Sequence, residues 1–341
     1  MSNIVSKEFR LKSRPEGLPT AANFELATRN ISQPDDGQAL VRNIWMSVDP
    51  YMRGRMVDRE SYVPPFQIGE AMGGGAVGQV IASRSATLQV GDYVQSMFGW
   101  REYEVAKAEE FQKIDPSLGP IETYLGTLGM PGMTAYIGLF RIGELKDGDA
   151  VFVSAASGAV GQVVCQLAKA HGAYVVGSAG SDDKCHWLEK EAGIDKAINY
   201  KTCGDLDAAV GKAFPKGIDV YFDNVGGAHL EAAINHMNTF GRIALCGMIE
   251  QYNDTAPRPG PSNLTFAIMK SLKLQGFIVS NHFDVMPAFY AEMGKLIKAG
   301  KMKWQETVED GIENAPKAFL KLFSGGNTGK MLVKIGPDKA V

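Results

Sequence analysis

The segment Val151-Phe-Val-Ser-Ala-Ala-Ser-Gly-Ala-Val-Gly161 constrains the fold of this chain more than any other. An apolar β-type run leads into it. Val160, Val163, Val164 and Leu167 lead out of it on the i, i+3, i+4, i+7 stripe of an amphipathic helix. A strand that turns through small residues directly into a helix opens a βαβ unit. Ala156, Gly158 and Gly161 spell Ala-x-Gly-x-x-Gly, a variant of the dinucleotide fingerprint. In that pattern Gly158 admits a pyrophosphate to the backbone, and Gly161 lets the helix pack closely on the sheet. The helix start supplies unpaired N–H groups and the positive end of a dipole. The bare spacing is a weak signal. Strand, turn, helix and second strand in order raise it to a cofactor expectation, against a plain glycine-assisted helix–sheet contact.

Apolar runs recur at 150–155, 174–178, 197–200, 219–223, 242–247 and 272–279. Strands of this kind alternating with helices predict a parallel sheet covered on both faces, hence a doubly wound α/β (Rossmann) fold. Residues 1–128 read differently, as short strands at 38–46, 78–82 and 92–96 with turns between them, and predict a compact β-rich domain. The glycines Gly73, Gly74, Gly75 and Gly78 inside it read as bulges or barrel corners. The tail has a helical stretch near 315–323 and a strand at 331–335. It is too short for its own core and is expected to return to the first domain. The expected organisation is 1–128, 129–302 and a return segment 303–341. With 341 residues, 45% hydrophobic and 21% charged, the chain has material for two globular domains, and disordered, collagen-like and coiled-coil classes are excluded.

A net charge of −3 offers no global field for nucleic acid or anionic lipid, and no apolar run reaches the roughly 18 residues of a membrane span. The charged amino-terminal stretch lacks the apolar core of a secretory signal. Cys165, Cys185, Cys203 and Cys246 match no zinc or redox spacing, so reduced thiols in a cytoplasmic protein are expected. An NAD site wants a carboxylate at the end of the second strand, about 20 residues past the glycine turn. Here that strand ends Val175-Val-Gly-Ser-Ala-Gly180, without one. Lys184, with the hydroxyls of Ser178 and Ser181, suits a 2′-phosphate, so NADP is preferred; Asp182 and Asp183 would oppose it if they faced inward. Residues 1–164 contain neither cysteine nor histidine, which removes the usual ligands of a catalytic zinc, and no metal is expected. Charge developing on a substrate oxygen must then meet hydrogen bonds or cations. The candidates are Tyr51, Arg53, Arg55 and Tyr62, and Tyr252 in the loop beyond the fifth strand.

At this point the residues resemble a family. Val48-Asp-Pro-Tyr-Met-Arg-Gly-Arg-Met56, Leu128-Gly-Met-Pro-Gly-Met-Thr-Ala-Tyr136, Ala155 to Gly161, Phe222-Asp-Asn-Val-Gly-Gly227, Leu274 to Val279 and Gly325-Gly-Asn-Thr-Gly-Lys330 span nearly the whole chain. Together they are similar to the zinc-independent medium-chain dehydrogenases/reductases, in the branch of prostaglandin, 2-alkenal (double-bond) and bacterial curcumin reductases. The resemblance implies a GroES-like β-barrel catalytic domain beside the Rossmann domain, and NADPH-dependent reduction of the C=C bond of α,β-unsaturated ketones and aldehydes. Tyr252 would be catalytic, with Tyr51, Arg55 and Tyr62 toward substrate. Gly158, Ala159, Val160 and Gly161 would take the pyrophosphate, and Gly180, Lys184 and Tyr200 the 2′-phosphate end. Pro50, Tyr51, Met133, Asn224, Cys246, Gly247, Tyr252, Phe277, Ile278, Val279 and Asn327 would line the remainder. Ile-Glu-Gln before Tyr252 departs from the smaller run common in such relatives. A homodimer is implied too, expected at the 272–279 edge strand. A quinone reductase of the same superfamily is the alternative, and a cofactor-binding protein without turnover a third.

Overall fold

The computed structural model describes residues 4–337, which pack into two compact units. The first runs to Leu125 and takes in Glu306–Asn327 and the chain from Met331 onward. The second is Gly126–Gln305 with Thr328–Lys330. The tail therefore divides between the units instead of forming one return segment.

In the first unit, β1 (Ile4–Leu11) and β2 (Phe24–Ile31) form an antiparallel ribbon. A second, seven-stranded sheet holds β3 (Gln38–Ser47), β4 (Ala76–Ser83), β5 (Tyr93–Ser96), β6 (Tyr103–Lys107) and β7 (Gln112–Lys113). Strands Glu306–Asp310 and Lys330–Lys334 complete it, the latter antiparallel to β3. From Ala39 onward β3 is buried, flanked by β4 and β6, and its register with β4 slips twice. Gly78 answers that irregularity: a methyl group there would lie 2.5 Å from the Arg42 carbonyl oxygen. The core gathers Phe9, Leu11, Phe24, Met52, Met56 and Trp100, and the helix Ala315–Ser324 adds Ala318 and Phe319 from its apolar face. Trp100 stacks on Phe24 at 5.8 Å.

The second unit contains β8 (Ala150–Val153), β9 (Tyr174–Ala179), β10 (Lys196–Asn199), β11 (Ile218–Asp223), β12 (Met237–Leu245) and β13 (Lys273–Gly276), in the order β10-β9-β8-β11-β12-β13. Every pairing is parallel. Val151, Phe152, Val153, Val220, Tyr221 and Phe222 are fully buried, as strands covered on both faces must be. Helices Gly161–Ala170, Asp182–Lys190, Leu206–Ala213 and Gly227–His236 make the crossovers. This is the doubly wound order, with a topological switch between β8 and β11. Two expected strands are shorter than the apolar runs suggest. The 150–155 run stops at Val153, where the chain turns toward the helix. The 272–279 run pairs only over Lys273–Gly276, because its neighbour β12 ends at Leu245, opposite Gly276. Among the described residues no helix is long and apolar enough to cross a membrane.

Candidate active site

Carboxyl ends of parallel strands face ligand in doubly wound sheets, most of all at the switch point. The turn after β8 is tied to both neighbours there. The Ala156 amide donates to the Ser178 carbonyl of β9 at 2.9 Å, and the Ser154 amide to the Phe222 carbonyl of β11 at 3.2 Å. Gly158 donates to the Ala155 carbonyl, and its own carbonyl receives the Gln162 amide. Gly161 is held so close to the turn that a methyl group would strike the Ala155 carbonyl oxygen and come within 2.7 Å of Ala156 Cα. At Gly158 the same group would meet only that carbonyl, at 3.1 Å. The helix from Gly161 has no side-chain cap and no acidic residue in its first turn, so no carboxylate there opposes an anion at its positive end.

Beyond β9, Ser181 caps the helix Asp182–Lys190. Asp182 accepts a hydrogen bond from Asn199 Nδ2 at 2.7 Å, and Asp183 is exposed. Lys184 is half-buried; burial, then the charge of Lys201, pulls its ammonium below the usual lysine range. A methyl group on Gly180 would lie 3.0 Å from the Tyr200 hydroxyl and 3.3 Å from Lys201 Cε. Gly180, Lys184, Tyr200 and Lys201 thus converge as a small basic corner with a phenol. Sequence reasoning missed Lys201, although it follows Tyr200 directly. It also missed His229, whose ring stands edge-on to Tyr200 at 5.1 Å. Burial lowers the His229 pKa to about 4, so that ring is neutral.

At the switch point the buried Asp223 carboxylate orders the loop after β11. Its Oδ1 accepts the Tyr221 hydroxyl (2.7 Å), the Ser154 hydroxyl (3.2 Å), and the amides of Val225 (2.9 Å) and Gly226 (2.8 Å). Burial raises its pKa while these donors act against the rise. Asn224 donates through Nδ2 to the Ser154 carbonyl at 2.8 Å, and its amide donates to the Ser154 hydroxyl at 2.9 Å. The amides of Cys246 and Gly247 both donate to the Asp223 carbonyl. Burial and Asp223 push the Cys246 thiol up to about 12, so it is no nucleophile. Asp223 and Ser154 were legible only as part of a quoted motif; their roles were not.

Tyr252 ends a single 3-10 turn, Ile249–Gln251, beyond β12. Its hydroxyl oxygen accepts the Met248 amide at 3.4 Å, and a methyl group on Gly247 would stand 3.1 Å from it. Phe277 leaves β13 with its ring edge toward Phe222, Ile278 is half-buried, and Val279 opens a 3-10 turn. Met133 is buried in the helix Met130–Tyr136.

Pro50, Tyr51, Arg55, Tyr62 and Asn327 belong to the first unit. Burial and Asp49 raise the Tyr51 phenol, while Arg55 acts in the opposite direction. Arg55 lies 4.0 Å over the Phe66 ring and donates through Nε to the Pro64 carbonyl at 2.9 Å. Tyr62 is exposed. Arg53, also a candidate cation, is instead buried, with Nη2 bound to the Gly17 carbonyl at 2.7 Å.

Residues 7–114 match the family model described as the N-terminal domain of oxidoreductase, and residues 159–298 that described as zinc-binding dehydrogenase. The chain is 43% identical to the NADP-dependent 2-alkenal reductase of Nicotiana tabacum, over 98% of this chain and 99% of that one. It is 39% identical to the NADPH-dependent curcumin reductase of Escherichia coli (strain K12), over 98% of each. The solved structure of CurA in complex with NADPH from Vibrio vulnificus superposes with a TM-score of 0.92 at 40% identity, covering 97% of this chain and 99% of that one. Such likeness, on a doubly wound sheet with a glycine-lined first turn, defines a two-domain oxidoreductase. The chain belongs to the zinc-independent medium-chain dehydrogenases/reductases, in the branch of prostaglandin, 2-alkenal and curcumin reductases. Its first unit is the GroES-like domain of that family and its second the Rossmann domain. The residues do not fit the zinc that one model description names. Residues 1–164 hold no cysteine or histidine, and among the described residues no three His, Cys, Asp or Glu side chains group as ligands.

Proposed function

We propose that this protein is an NADPH-dependent reductase of the carbon–carbon double bond in α,β-unsaturated ketones and aldehydes. Its end-to-end identity of 43% with a 2-alkenal reductase carries the reading. The cofactor fits the residues present: a helix start without a side-chain cap behind Gly158 and Gly161 for the pyrophosphate, and Lys184, Lys201 and Tyr200 around Gly180 for the 2′-phosphate. Ala159, Val160, Met133, Asn224, Cys246, Gly247, Phe277, Ile278, Val279, Pro50 and Asn327 would line its remainder. NADPH, when bound, supplies a hydride to the β-carbon of the enone. Negative charge then collects on the substrate carbonyl oxygen, and the Tyr252 hydroxyl, its own oxygen engaged by the Met248 amide, donates a hydrogen bond to it. Solvent protonates the α-carbon, so no buried acid is required. Tyr51, Arg55 and Tyr62 would contact substrate.

Losing one donor of this kind costs about 2.7–4 kcal/mol of barrier, so Tyr252→Phe is expected to lower kcat on a saturating enone roughly 10²–10³-fold. The decisive measurement compares NADPH oxidation by a simple trans-enone and by a benzoquinone. Unchanged turnover in the phenylalanine variant removes Tyr252 from the mechanism. Faster reduction of the quinone makes the protein a quinone reductase, and tight NADPH binding without oxidation by any acceptor makes it a binding protein.

A cytoplasmic location agrees with the four free cysteines. A homodimer agrees with β13, which has β12 on one side and no strand on the other among the described residues.

A further inference from the structure

We propose that Glu250, Arg258 and Asp254 form an ionic lock that positions Tyr252. The inference rests on the reading of Tyr252 as the donor to the substrate oxygen, and adds the residues that hold it there. Backbone bonds hang this loop from the switch point. The Ile249 amide donates to the Asn224 carbonyl at 3.4 Å and the Glu250 amide to the Val225 carbonyl at 3.2 Å.

Side chains add a second set of ties. The Glu250 carboxylate lies flat against Gly227, where a methyl group would come within 2.5 Å of its carboxyl carbon. Gly227 is at φ +49° and opens the helix Gly227–His236, so the missing side chain leaves the carboxylate its place at the positive end of that helix. Arg258 then bridges both flanks of the tyrosine. Its Nη1 donates to Glu250 Oε1 at 3.0 Å, and Nη2 and Nε reach the two oxygens of Asp254 at 2.8 and 2.6 Å. Residues 250 and 254 sit two positions either side of Tyr252, so a single guanidinium closes the turn into a ring.

Arg258 is 45% exposed. Exposed ion pairs contribute little to global stability. The consequence of the lock is therefore expected in the placement of one hydroxyl, not in whether the protein folds.

The test uses full-length Arg258→Met, Glu250→Gln and their double variant, assayed with NADPH and a saturating enone. Each single change is expected to lower kcat about 3–10-fold, the double no more than the worse single, because both break the same ring. The NADPH KM should stay within about twofold, since a positioning role acts on the transition state. Hydrogen exchange over 246–256 should rise in all three, and Arg258→Lys should recover part of kcat. Additive losses, a loss confined to the NADPH KM, or unchanged exchange with unchanged kcat overturns the lock. Raised exchange in the variants, with no enone turnover even in the unmodified protein, sustains the lock and refutes the reductase reading instead.

Discussion

At the scale of single residues, two side chains make opposite use of burial. Lys184 stays cationic in a half-buried corner beside Lys201, and both face the site proposed for a phosphate that distinguishes one nicotinamide cofactor from the other. Charge-assisted hydrogen bonds contribute about 1.5–3 kcal/mol, so Lys184→Ala and Lys201→Ala should each raise the NADPH KM roughly 10–100-fold while NADH kinetics barely move. Equal losses on both cofactors would place these lysines elsewhere. Because the Lys184 pKa is lowered, its contribution fades on the alkaline side sooner than for an ordinary lysine. His229 is the reverse case, a ring kept neutral. Its folded pKa of about 4 lies below its unfolded value of 6.5. Between those values the unfolded chain binds a proton that the folded one refuses, so stability is complete above pH 6.5 and falls as pH drops toward 4. The loss is on the order of 3 kcal/mol. Urea midpoints measured from pH 7 to pH 4 should show that slope, and His229→Phe should flatten it; a slope identical in both proteins would assign it to other groups. Lys184 was readable in the sequence, shortly after the end of the second strand; Lys201 and His229 were not. Lys201 gains meaning only when β10 ends beside the end of β9, and His229 only when its helix brings it to Tyr200.

At the scale of elements, the first strand–turn–helix was legible because its demands are local. Periodicity identifies the helix and small residues identify the turn, and both arrive within a dozen positions. Its two glycines do different work, as the fingerprint divides it between them. Gly161→Ala drives a methyl group into the turn backbone, where nothing flexible can yield. It should destabilise the protein by about 1–3 kcal/mol, the usual range for overpacking, and lower Tm accordingly. Gly158→Ala meets one carbonyl oxygen at 3.1 Å and should leave Tm nearly unchanged while raising the NADPH KM, since only the ligand needs that space. If both variants lost stability alike, the division of labour between the glycines would be wrong. The strand ends were less legible. An apolar run shows what can be buried, but a strand extends only as far as its neighbour does, which is why the 272–279 run pairs over four residues. The network around Asp223 was hidden for the same reason: Ser154 and Asp223 lie 69 positions apart and meet only when β8 and β11 become neighbours.

At the scale of the whole molecule, fold class was the most legible feature, because a doubly wound sheet repeats its signature at every crossover. Association is a different matter, since it depends on what the finished surface leaves uncovered. β13 closes one side of the parallel sheet with a row of unpaired backbone groups among the described residues. Immediately before it, the helix Thr265–Met269 leaves Ile268 83% and Met269 70% exposed, with Leu264 beside them. Large apolar side chains next to an open strand edge are a combination that soluble monomers avoid. A two-fold axis at this edge would pair β13 with its copy and cover these side chains in one step, because an isologous interface sets the same patch against itself. Sedimentation at micromolar concentration should therefore give twice the chain mass of 36.8 kDa. Ile268→Glu with Met269→Lys should shift the distribution to the single-chain mass while leaving NADPH affinity intact. A wild-type protein that sediments at the single-chain mass would show that the edge is protected by its own short length and by Lys273, the charged residue at its start.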